Sequence, residues 1–254
     1  MEKLIAGLQL FTLRDFCKGV ELTSSTFKRI REIGYRVVEI AGIKDVDAKN
    51  LRKILNDYGL YAWSIHIPYP ALLNQTEKII EESKIIGCKA IICPSLPKEL
   101  HTKEGYLKAG NELQKIAPIL KKEGFKFAFH NHSLELEKFE GKTGLEILLE
   151  NAPELEIQID TYWIQHGGGD PAEWIEKFSG RVSSIHLKDM GIIKGEQVMP
   201  PVGEGNLNWR RIIEACKKAG VKYGFVEMDQ TTIDPFEAVR ISLQNLKNLG
   251  FKSF

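Results

Sequence analysis

The chain has 254 residues, 43% of them apolar and 27% charged, with 35 basic against 34 acidic side chains and a formal net charge of +1. A balanced charge with no arginine-rich patch beside stacking aromatics argues against a nucleic-acid surface or an electrostatic membrane anchor. The apolar stretch in MEKLIAGLQLF is too short for a signal peptide, and no run approaches the length of a membrane span. Cys17, Cys88, Cys93 and Cys216 fall in no close metal spacing, so the expected setting is the cytoplasm, with reduced thiols in or near the core.

Strand-like apolar runs alternate with amphipathic runs from end to end. The expected strands are Leu4 to Phe11, Tyr35 to Ile40, Ala62 to Ile67, Cys88 to Pro94, Phe125 to His132, Leu155 to Thr161, Arg181 to Asp189 and Tyr223 to Asp229. Between them the periodicity predicts helices from about Thr23 (capped by Ser24 or Ser25), from about Asp47 to Tyr58, and over Leu72 to Ile86, Lys103 to Glu123, Gly144 to Glu150, Pro171 to Phe178, Trp209 to Ala219 and Pro235 to Leu249. Asp170 and Asp234 each stand directly before a proline, a favourable cap followed by a favourable first helical residue. Gly34, Gly87, Gly124 and Gly220 stop helices just ahead of strands. Eight strand–helix units without an early GxGxxG turn predict one closed (β/α)₈ barrel over residues 1–254 rather than a dinucleotide-binding sheet.

A barrel collects its chemistry at the C-terminal ends of its strands, and several of the expected strands end in polar groups. The first half contributes Arg14, Glu39 and His66. The second contributes His130, Asn131, His132, Asp160, His186, Lys188, Glu227 and Asp229. Strand alternation groups His130 with His132, His186 with Lys188, and Glu227 with Asp229. Taken singly, such residues are more often caps, turn formers or satisfied core groups. Asp160, His186 and Glu227, however, end three successive strands after apolar runs, and that set suits a divalent ion such as Mn²⁺, Co²⁺, Zn²⁺, Fe²⁺ or Mg²⁺. A fourth ligand is expected from strand 5, where both His130 and His132 are available. Lys188 is expected to face a substrate oxygen, with Asp189 as a structural partner. Glu39 and His66 are expected to bind sugar hydroxyls, and Trp63, Tyr162 and Trp163 to wall the pocket. The loop Ile192 to Val202 is long enough to fold over the mouth.

The combination FHNHSLEL, IQIDTYW, GGGDP, IHLKDM, PVGEGNLNW and FVEMDQ resembles the sugar phosphate isomerase/epimerase superfamily with the xylose-isomerase-like barrel, over essentially the whole chain. The resemblance implies a divalent metal held at strand ends, with Asp160, His186 and Glu227 at three of the four ligand positions. The family's strand-5 glutamate falls on or beside His130, in an HNHxxE pattern ending at Glu135, so His130 is assigned to the metal here. Two glutamates move the proton in the isomerases and epimerases, and this departure makes a dehydratase or lyase of a keto-inositol or 3-keto-sugar the rival reaction. A non-catalytic sugar-binding barrel is the rival outside enzymes. The implied reaction is isomerisation or epimerisation of a sugar, sugar phosphate or related keto-polyol through an enediolate. Glu227, His132 and Lys188 are the expected catalytic groups, and Arg14, Glu39, His66, Asn131, Glu135 and Trp163 the expected substrate contacts. The expected partner is a small carbohydrate, with no nucleic acid or membrane, and assembly into a homo-oligomer is left open.

Overall fold

The structure, a computed structural model, describes residues 4–252; the outermost residues of the expected 1–254 unit lie outside the described residues. Eight parallel strands close into a barrel: β1 (Ile5–Gln9), β2 (Val37–Ile40), β3 (Tyr61–His66), β4 (Ala90–Cys93), β5 (Lys126–His130), β6 (Glu156–Asp160), β7 (Val182–Leu187) and β8 (Tyr223–Val226). Each pairs with its neighbours in sequence, and β1 closes the ring on β8 through Ile5↔Tyr223 to Leu8↔Val226. The expected (β/α)₈ architecture is the one observed.

The strands are β-branched and aromatic runs whose side chains alternate between the barrel interior and the helical shell. The shell consists of α1 (Gly19–Ile33), α2 (Ala48–Asp57), α3 (Tyr69–Asn74), α4 (Thr76–Ile86), α5 (Lys103–Lys122), α6 (Gly144–Glu150), α7 (Thr161–His166), α8 (Pro171–Lys177), α9 (Trp209–Lys218) and α10 (Pro235–Asn248). The large apolar core lies between strands and helices. A second, smaller cluster of Val37, Trp63, Ala90, Ile92, Ala128 and Phe225 fills the inside of the barrel. Above it the inward positions turn polar, with Glu39, Gln158, Asp160, Ser184, His186 and Glu227 all buried.

Several boundaries differ from expectation for local reasons. Strand β1 stops at Gln9 because its side-chain oxygen accepts the Phe11 N–H at 2.5 Å and opens a 3₁₀ turn over Leu10–Phe16. Helix α1 starts at Gly19 rather than Thr23. Its entry is fixed by backbone bonds between Gly19 and Lys44 and between Lys44 and Cys17, so Ser24 and Ser25 lie inside the helix instead of capping it. The expected helix after β3 is broken at Gln75 into α3 and α4. Residues after Asp160 form the short helix α7, capped by that aspartate. The Asp170 and Asp234 caps form as expected, each accepting two backbone N–H groups. Among the described residues no helix is long and apolar enough to cross a membrane.

Candidate metal centre

The C-terminal end of the barrel opens into a cavity of about 360 Å³ whose wall includes His66, His130, His132, His186, Glu227 and Asp229. His130 is the last residue of β5. Its Nδ1 meets the Pro94 carbonyl at 3.2 Å, and a carbonyl can only accept, so Nδ1 carries the proton. Nε2 is therefore a lone pair, yet it lies 3.4 Å from Asp160 Oδ2, another acceptor. Burial, then repulsion from His186, lowers His130 to about 4, which keeps it neutral near pH 7.

His186 sits between two carboxylate groups. Its Nε2 is 2.6 Å from Glu39 Oε1. On the other edge, Nδ1 is 3.6 Å from Asp160 Oδ2 and 3.5 Å from Glu227 Oε2 but has no hydrogen-bond partner. Burial works against an imidazolium, but the charge of Glu39, then the nearby Asp160 and Glu227 carboxylates, carries His186 well above its ordinary value. A cation entering at Nδ1 would therefore displace a proton.

Lys188 reaches into the same cluster at 1% exposure. Its ammonium is 3.4 Å from Asp160 Oδ2, 2.7 Å from Asp229 Oδ2 and in close contact with Glu227 Oε2. The Glu227 contact lacks hydrogen-bond alignment, and Oε2 stays unpartnered in that sense. Burial would raise the Asp160 and Glu227 carboxyls, but Lys188, helped by the histidines, holds both well below the ordinary carboxylate range. Burial and the neighbouring Glu227 charge push Asp229 up to about 6.

His130, Asp160 and His186 thus bring ligand atoms together, and Glu227 Oε2 joins them through His186 Nδ1 at 3.5 Å. Two acceptors in contact, together with a buried imidazole nitrogen and a buried carboxylate oxygen lacking hydrogen bonds, describe a site short of positive charge. Hard oxygens with imidazole nitrogens fit a divalent transition ion, and His130, Asp160 and His186 fall within ligating reach of one another.

The remaining expected site residues take several positions. His132 lines the cavity and packs edge-on to His130, with ring centroids 4.8 Å apart. Burial, then His130, lowers it to about 3, so it too is neutral. Glu135 is turned inward, where its carboxylate accepts the His132 N–H at 2.8 Å and braces the loop rather than facing the cavity. Asn131 is buried and accepts the Asp160 N–H at 3.1 Å. Arg14 donates to the carbonyls of Phe11 and Asp229 at 2.8 and 2.9 Å, which fixes the end of strand 8. Glu39 lies deep in the barrel, where His186, Ser64 and Gln158 donate to it and His66 Nε2 lies 3.0 Å from Oε1. His66 lines the cavity while its Nε2 is turned to Glu39 and Gln158. Lys188 is enclosed by carboxylates instead of extending over the cavity. Trp163 lies with its ring centroid 5.3 Å from the Lys188 ammonium and, with Tyr162, walls a neighbouring cavity of about 390 Å³ across Asp229. Trp63 belongs to the apolar interior of the barrel, below the site.

Asp189, next to Lys188, has a different task. Its carboxylate accepts the N–H groups of Met190, Gly203, Gly205 and Leu207 and the Trp209 indole, so it ties PVGEGNLNW to the end of β7. Asn208 then caps α9 through the Arg211 N–H at 3.1 Å. What projects beyond this fastened loop is a hairpin, Gly191–Ile193 paired with Glu196–Val198, with Ile192 and Ile193 exposed. Ser64, Gln158 and Ser184, which join the interior polar network, were not among the expected site residues. Their signal was available: each stands two residues before His66, Asp160 or His186 and so shares that residue's inward face.

Residues 27–249 match the family described as the xylose isomerase-like TIM barrel. The chain belongs to that family. Among curated relatives, an inosose dehydratase of Geobacillus kaustophilus is 23% identical over 184 residues, which span 63% of this chain and 59% of that one. A sugar phosphate isomerase/epimerase of Parabacteroides distasonis superposes with a TM-score of 0.81 at 24% identity, covering 97% of this chain and 94% of that one. An IolI protein with a bound zinc atom superposes with a TM-score of 0.75 at 15% identity over 99% of both chains.

Proposed function

We propose that the protein is a divalent-metal-dependent isomerase or epimerase of a ketose-like sugar or polyol, with the ion held by His130, Asp160, His186 and Glu227. The observation that carries this reading is that His130, Asp160 and His186 lie within ligating reach of one another beside an open, polyol-sized cavity, with Glu227 Oε2 3.5 Å from His186 Nδ1. When bound, the ion supplies Lewis acidity to a substrate carbonyl and stabilises the negative charge that develops on its oxygen.

The protein side chains then move protons. Glu227 is ionised and at the cavity wall; with Oε2 turned to Lys188 and His186, its other oxygen is left to take the proton α to the carbonyl. Lys188 acts through Glu227, keeping it ionised when buried. His132, neutral and on the same wall, can hand a proton back to the neighbouring carbon or oxygen. His66 offers the cavity a ring whose Nε2 is already committed, so Nδ1 is the atom left for a substrate hydroxyl.

Dehydration is the second reading, favoured by Asp229. A carboxyl raised to about 6 beside Glu227, which is held ionised, takes up a proton more readily than its neighbour on the same wall. That arrangement suits protonation of a leaving hydroxyl. The inosose dehydratase likeness supports the same alternative.

The test is incubation of keto-hexoses, keto-pentoses and keto-inositols with the Mn²⁺-, Co²⁺- or Zn²⁺-loaded protein in D₂O, followed by mass spectrometry and NMR. Deuterium at the α-carbon without change of formula identifies the isomerase or epimerase. Loss of 18 mass units (one water) identifies the dehydratase. Tight sugar binding with neither outcome, and no stoichiometric metal, returns the protein to the non-catalytic binding class.

A further inference from the structure

His186 can meet a cation through either ring nitrogen, and the barrel offers a second cluster of possible ligands, Glu39, His66 and His186, on its Nε2 side. The hydrogen bonds separate the two. Glu39 is fully buried and already provided with donors. Oε1 accepts from His186 Nε2 at 2.6 Å, and His66 Nε2, which donates to Gln158 Oε1, lies 3.0 Å from the same oxygen. Oε2 receives the Ser64 hydroxyl at 2.5 Å and the Gln158 amide at 2.8 Å, and that amide is held in turn by Ser184 at 2.9 Å. A carboxylate surrounded in this way is a finished hydrogen-bond hub. An ion placed there would have to strip protons from both imidazoles and would meet a single oxygen. The opposite edge of His186 has the reverse character: Nδ1 faces Asp160 and Glu227 and has no hydrogen-bond partner.

We propose that Glu39 is a positioning residue for the metal centre, holding the proton on His186 Nε2 so that this histidine meets the ion through Nδ1. The inference rests on the metal reading above. A ligating imidazole whose other nitrogen donates to a carboxylate is fixed in tautomer and ring orientation and made more basic, and loss of such a partner typically weakens metal binding by about 10–100-fold. Gln158 and Ser64 then act one step further out, by fixing the rotamer of Glu39. His66, stacked on His186 with ring centroids 5.5 Å apart and planes 9° apart, shares the same oxygen and keeps the two rings parallel.

Two measurements test this, with the metal alone as probe. The first is Co²⁺ titration of the whole protein by visible absorption, and Zn²⁺ competition against a chromophoric chelator, for wild type, Glu39→Gln and Ser64→Ala. Glu39→Gln is expected to weaken both metals by about 10–100-fold and to alter the Co²⁺ band. Ser64→Ala removes one bond that fixes the Glu39 rotamer but spares the bond to His186, and is expected to lose clearly less affinity than Glu39→Gln. Equal losses in both variants would mean only general disturbance of the barrel interior, and no loss in Glu39→Gln would also overturn the proposal. The second measurement uses unmodified protein and holds even where Glu39→Gln does not fold. Long-range ¹H–¹⁵N imidazole spectra of wild type with and without Zn²⁺ should show His186 protonated at Nε2 and metal-shifted at Nδ1. A metal-shifted Nε2 overturns the inference while leaving the metal reading intact. Absence of any metal binding in wild type removes both.

Discussion

Two clusters of buried charge meet at His186 and differ in how complete they are. On the Nε2 side, Glu39 accepts three hydrogen bonds, from His186, Ser64 and Gln158, with His66 Nε2 3.0 Å from Oε1. On the Nδ1 side, Asp160, Glu227 and Asp229 share one ammonium, and a neutral imidazole presents its lone pair to a carboxylate. Buried polar groups are normally satisfied, because an unpaired one costs about 1–3 kcal/mol and a charged one more. A fold that completes the first cluster and leaves the second short has the means to complete both. On the proposed reading that shortfall is where the ion binds, and the His130 lone pair facing a carboxylate has the sign that a cation answers.

The largest effects are expected where that shortfall is altered. Glu227→Gln keeps the shape and removes both a ligand charge and the proposed base. It should lower turnover by about 10²–10⁴-fold, the usual contribution of a general base, with the melting temperature of the metal-free protein unchanged or raised. α-Deuterium incorporation rates and circular-dichroism melts read the two quantities separately. Wild-type turnover in Glu227→Gln would transfer the base to His132. Removing the metal with a chelator should lower wild-type stability, by about 2.7 kcal/mol relative to protein held at a metal concentration 100 times its Kd.

Lys188→Met comes next. In metal-free protein it leaves three carboxylates without their shared cation, and breaking a buried pair in this way costs about 3–5 kcal/mol. Zn²⁺ should restore part of that loss, because the ion supplies charge to the same oxygens. Urea denaturation of both proteins with and without Zn²⁺ measures the coupling; a loss indifferent to Zn²⁺ would separate Lys188 from the metal cluster. Asp189→Ala should cost about 3 kcal/mol by orphaning backbone N–H groups of the following loop and the Trp209 indole, and Zn²⁺ should not restore it.

The barrel itself was legible in the sequence because eight period-two runs alternate with eight period-3.6 runs, and strong periodicity survives local irregularity. The three second-half strand ends were legible for the same reason: Asp160, His186 and Glu227 each close an apolar run. Depth was not. Glu39 and His66 end their strands much as His186 does, yet Glu39 is fully buried among His186, Ser64 and Gln158 as a hub instead of on the cavity wall. How deep a strand-end residue sits depends on its neighbours across the barrel, which no single strand records. The choice between His130 and His132 was hidden similarly. Alternation gives both the same face, and the Pro94 carbonyl on a neighbouring strand end fixes the ring of His130 with Nε2 inward. Asp189 was readable only as a partner of uncertain kind, because its donors come from as far along the chain as Trp209.

The smallest expected effect extends the comparison to the surface, where a carboxylate can be complete without being buried. Glu146 Oε2 accepts the Thr143 N–H and hydroxyl, each at 2.8 Å, and Oε1 meets Lys177 at 2.6 Å. Burial opposes ionisation, but Lys177 and the two Thr143 bonds lower the carboxyl to about 2. Because its folded-state value lies below its unfolded one, the contribution of Glu146 is fully present above about pH 4.5 and fades as the pH falls towards 2. Glu146→Gln should therefore destabilise α6 by about 0.5–1.5 kcal/mol at neutral pH, the usual range for a helix cap with an exposed ion pair. The gap between variant and wild type should narrow between pH 4.5 and 2 in urea titrations. Zn²⁺ should leave the gap unchanged, since Glu146 already has its partners and is no part of the cluster that lacks them.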